Sequence, residues 1–149
     1  MQNLVKETRH FGIAVEDIEK SLYFYKDLLG LQIIREMDES GNYIDNMLDL
    51  SGVKVKTVKL SAPNGPTLVE LLEFKSHKEK KKFRNIYDIG ASHIAFTVYD
   101  IEECYKILSK NGIKFNAPPQ NSPDKYAKVT FCNDPDGTPV ELVQVMDNK

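Results

Sequence analysis

The chain has 149 residues, 41% hydrophobic and 28% charged, an ordinary balance for a globular domain large enough to bury a real core. Its net charge of −2 lacks the basic footprint of phosphate binding and argues against nucleic acid as the main partner. Cys104 and Cys132 read as free thiols, no run approaches the ~20 apolar residues of a membrane span, and Met1–Glu7 lacks the apolar core of a signal peptide, so the expected location is the cytoplasm.

His10-Phe11-Gly12-Ile13-Ala14-Val15 reads as a buried strand. Strand side chains alternate faces, so Phe11, Ile13 and Val15 point one way and His10 the other, beside small Gly12 and Ala14. Asp17 is a helix N-cap, Ile18, Leu22, Tyr25 and Leu29 follow at helical spacing, and Gly30 suits the C′ position. Leu31–Glu36 is a second strand, Asp38–Asn42 a turn or loop, and Tyr43–Leu48 a short helix or a flap. Val53–Leu60 is a strand whose wetter face carries Lys54 and Lys56. A turn at Pro63-Asn64-Gly65-Pro66 leads into Thr67–Phe74, the strand that carries Glu70. The lysine-rich linker Ser76–Asn85, with His77 exposed in it, reads as a solvated connection in preference to an anchor for an anionic substrate tail.

The second half repeats the first. His93-Ile94-Ala95-Phe96-Thr97-Val98 matches the opening strand, Asp100-Ile101-Glu102 matches Asp17-Ile18-Glu19, and each equivalent pair is separated by the same interval. Asp100 with Glu103 starts a helix whose apolar face is Ile101, Cys104, Tyr105 and Leu108, and Asn111-Gly112 ends it. Ala117–Pro123 is a loop, followed by a strand from Tyr126 to Cys132, a Pro135-Asp136-Gly137 turn and a last strand from Thr138 to Val145. Each half is therefore a β-α-β-β-β module, the first spanning about residues 5–75, the linker about 76–88 and the second module about 89–147.

Each module thus opens on a His and closes on a Glu. A lone His in an apolar strand is more often a packed residue than a ligand. Glu70 within Leu68-Val69-Glu70-Leu71-Leu72 and Glu141 within Val140-Glu141-Leu142-Val143 are stranger, because a buried carboxylate is normally paired or bound to a metal. The nearby lysines are expected on loops or on wet strand faces, which leaves both carboxylates without an evident partner. Two imidazoles and two carboxylates brought together by a pseudo-twofold repeat form a sulfur-free set suited to Ni, Co, Zn, Mn or Fe. The carboxylates would neutralise a 2+ ion and leave coordination positions open for water or substrate. Gly12, Ala14, Ala95 and Thr97 leave room over the ion.

His10–Val15, the Phe24-Tyr25-Lys26-Asp27-Leu28-Leu29-Gly30-Leu31 stretch, and Asp134-Pro135-Asp136-Gly137 leading into Val140-Glu141-Leu142 resemble the vicinal oxygen chelate superfamily across nearly the whole chain. That superfamily includes glyoxalase I, methylmalonyl-CoA epimerase, extradiol dioxygenases, and fosfomycin- and bleomycin-resistance proteins. The resemblance implies a single α+β domain of two tandem βαβββ modules that form a cup-shaped mixed sheet around a metal. It implies a homodimer, and it places the metal ligands at His10, Glu70, His93 and Glu141.

The resemblance further implies an enzyme: a lyase, isomerase or epimerase that binds a small molecule with vicinal oxygens and transfers a proton next to a carbonyl, through a metal-chelated enolate or enediolate. The base would be Glu141, exchanging with Glu70. Extradiol dioxygenase chemistry uses two His and one carboxylate, and the fourth ligand Glu70 argues against it. A non-catalytic binding protein of the bleomycin-resistance type generally lacks the ligand set. The first-strand Arg with which glutathione-dependent glyoxalase I grips glutathione is matched here by Ala14. Tyr43, Tyr126 and Phe131 are candidate substrate contacts, and Lys125 has a similar standing.

Overall fold

The computed structural model describes residues 4–146. Asp147, at the end of the second expected module, and the first three residues of the N-terminal stretch lie outside the described residues. Backbone contacts divide the chain into two compact units, Met1–Lys81 and Lys82–Lys149, and each holds one four-stranded mixed sheet.

In the first unit, β1 (His10–Ala14) is followed by α1 (Ile18–Leu22), which runs on as a π-helical segment, Tyr23–Leu28. Then come β2 (Gln32–Ser40), α2 (Asn42–Leu48), β3 (Lys54–Ser61) and β4 (Leu68–Phe74), with sheet order β1-β4-β3-β2. β1 runs parallel to β4, and the other pairs are antiparallel. The Asp17 carboxylate accepts from the backbone N–H groups of Glu19 and Lys20, satisfying donors that the helix start leaves open. Glu73 of β4 accepts from the Ile18 N–H and pins the helix entrance to the sheet. Val58 and Leu60 of β3 and Val69 and Leu71 of β4 are buried on one sheet face, and Ile18, Leu22, Phe24 and Tyr25 are buried in the helical layer. Full burial of each such side chain is worth roughly 1.5–3 kcal/mol.

Two expectations for this unit need correction. β1 is an edge strand, so Phe11 is 47% exposed where a buried strand was expected. β2 continues through Asp38, Glu39 and Ser40, residues expected to turn, because each pairs in register with β3 as far as Ser40 opposite Lys54. The turn is compressed into Gly41, whose φ of 95° is accessible mainly to glycine. Of the two alternatives for Tyr43–Leu48, the helix is present.

The end of α2 is tied down by Asp45, which accepts from the backbone N–H groups of Gly52 at 2.9 Å and Val53 at 2.8 Å. Those bonds, Val53 first, hold the Asp45 carboxyl below the usual carboxylate range. A depressed folded-state pKa contributes stability above the unfolded value and loses it as pH falls through the folded value. The tie is therefore expected to hold at pH 6 and to open below about pH 4. Amide exchange at Gly52 and Val53, corrected for intrinsic rates, should accelerate over that range, and Asp45→Asn should abolish the pH dependence.

The second unit runs β5 (Ile94–Thr97), α3 (Ile101–Lys110), β6 (Gln120–Asn121), β7 (Ala127–Asn133) and β8 (Pro139–Val145), in sheet order β5-β8-β7-β6. Asp100 caps α3 by accepting from the Glu103 N–H, and Gly112 follows the helix with φ of 81°. Ile101 and Leu108 are buried, while Cys104 and Tyr105 are only partly covered. The stretch Ala117–Pro123, expected to be all loop, contains β6, whose Gln120 and Asn121 pair with Val129 and Lys128. Before β8, the Asp134 carboxylate accepts from the Asp136 and Thr138 N–H groups and shapes the turn around Gly137. The sheets and helices agree with two βαβββ modules in an α+β fold. No helix among the described residues is long and apolar enough to cross a membrane.

Candidate functional site

In the first unit, register decides which side chains share the face opposite the helical layer. Gly12 of β1 pairs with Glu70 of β4, which pairs with Lys59 of β3, which pairs with Arg35 of β2. Residues directly opposite in a ladder project from the same face, as do alternate residues along a strand. His10, Gly12, Glu70, Lys59 and Arg35 therefore share one face. His10 Nε2 lies 3.8 Å from Glu70 Oε2, and Lys59 Nζ lies 3.4 Å from the same oxygen. The Glu70 side chain is 13% exposed and that of Lys59 is 19% exposed, so this carboxylate is largely desolvated with two nitrogen groups beside it.

The second unit repeats the geometry with one difference. Ala95 of β5 pairs with Glu141 of β8, which pairs with Phe131 of β7. His93, one residue before β5, places Nε2 3.3 Å from Glu141 Oε2. The His93 ring meets Phe131 edge-to-face, with centroids 5.6 Å apart. Phe131 thus occupies the row position that Lys59 holds in the first unit, and the two carboxylates have different surroundings. Glu70 has a cation beside it, whereas Glu141 has an aromatic ring.

The structure joins the four expected ligands as two pairs, His10 with Glu70 and His93 with Glu141. Among the described residues, no group of three or more His, Cys, Asp and Glu side chains stands at metal-binding distance. The donor chemistry nevertheless fits a divalent ion, because each pair supplies an imidazole nitrogen and a carboxylate oxygen. His10 Nδ1 adds a second sign: it is buried without a hydrogen-bond partner among the described residues, an unfavourable state for an imidazole nitrogen. The cysteines add no thiolate donors. Burial pushes the Cys132 thiol up to about 12 and, with Asp100 and Glu103 close by, raises that of Cys104.

The aromatic candidates have different placements. Phe131 stands on the His93–Glu141 face, whereas Tyr43 projects from α2 at 72% exposure and Tyr126, just before β7, is 55% exposed. Lys125 precedes Tyr126 in the exposed turn, with φ of 61°. His77 is exposed in the linker, with its Nδ1 2.8 Å from Ser76 Oγ.

Lys59 corrects the expectation that neither carboxylate has a partner in its sheet. The signal was present in the strand pattern, since Lys59 has the parity of Val55 and Thr57, the face opposite Lys54 and Lys56.

A family profile described as the Glyoxalase/Bleomycin resistance protein/Dioxygenase superfamily matches residues 8–142. An uncharacterised Bacillus subtilis protein, YwkD, is 33% identical over 95% of this chain and 98% of its own. A probable lactoylglutathione lyase of Synechocystis is 31% identical over 94% of this chain and 96% of its own. A solved glyoxalase family protein from Bacillus cereus superposes with a TM-score of 0.84 at 19% identity, covering 98% of each chain, a likeness that speaks for the fold alone.

Proposed function

Given that the chain belongs to the Glyoxalase/Bleomycin resistance protein/Dioxygenase superfamily, we propose that it is a metal-dependent enzyme that moves a proton at a carbon next to a carbonyl. His10, Glu70, His93 and Glu141 hold one divalent ion, and a homodimer carries the site. The substrate is a small molecule with two neighbouring oxygens, of the kind handled by lactoylglutathione lyases or by epimerases of thioester acids. The observation that supports this reading is the repeated His–Glu pair on the corresponding face of each sheet.

A divalent ion bound there supplies Lewis-acid stabilisation to negative charge developing on a substrate oxygen. Glu141 accepts the proton. Among the described residues it has one nitrogen partner, His93, and its side chain is 23% exposed, whereas the 13% exposed Glu70 is held by both His10 and Lys59. A carboxylate with fewer ties is better placed to take up a proton and return it on either face of the carbon. Gly12, Ala95 and Thr97 carry little side-chain bulk beside the two pairs and leave space for the substrate.

The test is the metal content of the full chain, prepared without a histidine tag, beside Glu70→Ala and Glu141→Ala. About one ion per chain in the parent and its loss in both variants are expected. A parent that takes up no ion when offered Ni, Co, Zn, Mn or Fe would overturn the enzyme reading. Sedimentation of the same samples checks the dimer.

A further inference from the structure

We propose that Lys59 and Arg35 form an anion subsite beside Glu70, so that the substrate carries a carboxylate or phosphonate in addition to its two chelating oxygens. This inference rests on the metal-site reading above and assigns the class of molecule that the site takes. In the row Gly12–Glu70–Lys59–Arg35, two cationic side chains stand on the face that also carries His10. Two carboxylates balance a divalent ion, and with Glu39 also on this face the cations Lys59 and Arg35 leave one positive charge in excess.

A counter-ion for Glu70 is the simpler role for Lys59, and two observations argue against it as the whole explanation. The fold does not need a cation there, since Phe131 occupies the equivalent place beside Glu141. One cation would also satisfy one carboxylate, yet Arg35 stands next in register beyond Lys59. The other acid on this face, Glu39, accepts from Thr57 Oγ1 two positions away from Lys59 along β3. Lys59 is 19% exposed, so its ammonium remains over the sheet and is poorly hydrated, the condition in which a cation binds an anionic group most strongly. Arg35 is exposed and supplies the planar fork that suits a carboxylate or phosphonate.

The experiment titrates the Mn²⁺-loaded full chain by calorimetry with three hydroxamates that chelate alike. Acetohydroxamate has no further charge, N-hydroxysuccinamate adds a carboxylate and phosphonoacetohydroxamate adds a phosphonate. A charged probe should bind about tenfold or more tightly than acetohydroxamate, the scale of one charge-assisted hydrogen bond. The better of the two charged probes identifies the group. Lys59→Met should remove most of that preference and Arg35→Met part of it, and Lys59→Arg should retain it, the preference being read within each Mn²⁺-loaded variant as the ratio of charged-probe to acetohydroxamate affinity. If acetohydroxamate binds in a Mn²⁺-dependent way and no charged probe binds better, the subsite is overturned and the metal reading stands. If no hydroxamate binds with Mn²⁺ present, the metal reading fails and takes the subsite with it.

Discussion

Replacing Glu141 by Gln is expected to lower turnover about a thousandfold, the middle of the range for losing a positioned general base. The substitution preserves shape, and β8 has neighbours on both sides, β5 and β7, so the strand should remain in place. With turnover measured at saturating metal, so that weaker ligation by the amide is offset, what is removed is the capacity to accept a proton while His93 Nε2 stands 3.3 Å away. The readout is solvent deuterium entering the carbon next to the carbonyl, tried with the hemithioacetal of methylglyoxal and a small thiol and with a methylmalonyl thioester. Glu70→Gln separates the two carboxylates. It leaves Lys59 near the ion without its counter-charge, so its main effect should be weaker metal retention, with part of the turnover restored at high metal concentration. If Glu141→Gln keeps full turnover and Glu70→Gln abolishes it at saturating metal, the base has been assigned to the wrong unit. Circular dichroism of each variant confirms that the comparison concerns chemistry and not folding.

The elements easiest to read in the chain were those governed by local chemistry. Asp17 and Asp100 cap their helices because a short carboxylate reaches the open N–H groups of the first turn. Gly30 and Gly112 close them because each takes a positive φ. Duplication pointed to the four residues as one set, and the pairing of each His with its own Glu follows from the parallel β1–β4 and β5–β8 ladders, which make the strand that begins at or just after each His a neighbour of the strand that carries its Glu. Non-local features were harder to read. The length of β2 depends on its pairing with β3, and a segment of mostly polar residues, Asp38-Glu39-Ser40, gives no apolar periodicity to announce it. The exposure of Phe11 follows from β1 lying at a sheet edge, a property of strand order that alternation within one strand does not contain. Lys54 and Lys56 mark the even face of β3 as the wet one, and only the pairing of β3 with β4 shows that Lys59, on the odd face, stands beside Glu70.

Phe24→Ala is expected to destabilise the chain by about 3–5 kcal/mol, the cost of truncating a fully buried aromatic residue. Helical spacing alone assigns Ile18, Leu22, Tyr25 and Leu29 to the core and says nothing for Phe24. In the structure Phe24 is 1% exposed and Tyr25 fully buried, with their rings edge-to-face at 4.9 Å. Two consecutive residues point 100° apart on an α-helix of 3.6 residues per turn. The π-helical segment Tyr23–Leu28 widens the turn, so the residues two and three places beyond Leu22 both reach the interior. The Leu29 N–H then bonds back to the Phe24 carbonyl, five residues earlier, and the Leu31 N–H reaches the Tyr25 carbonyl as the helix closes. Removing the Phe24 ring leaves a cavity beside Tyr25 and also takes away the reason for the wider turn. Tyr23, half exposed at the start of the same segment, is the control, and Tyr23→Ala should cost under about 1 kcal/mol. Urea unfolding of both variants followed by fluorescence and far-UV dichroism gives the comparison. Equal losses at Phe24 and Tyr23 would mean that the wider turn is a feature of the backbone and not of the packing it brings inward.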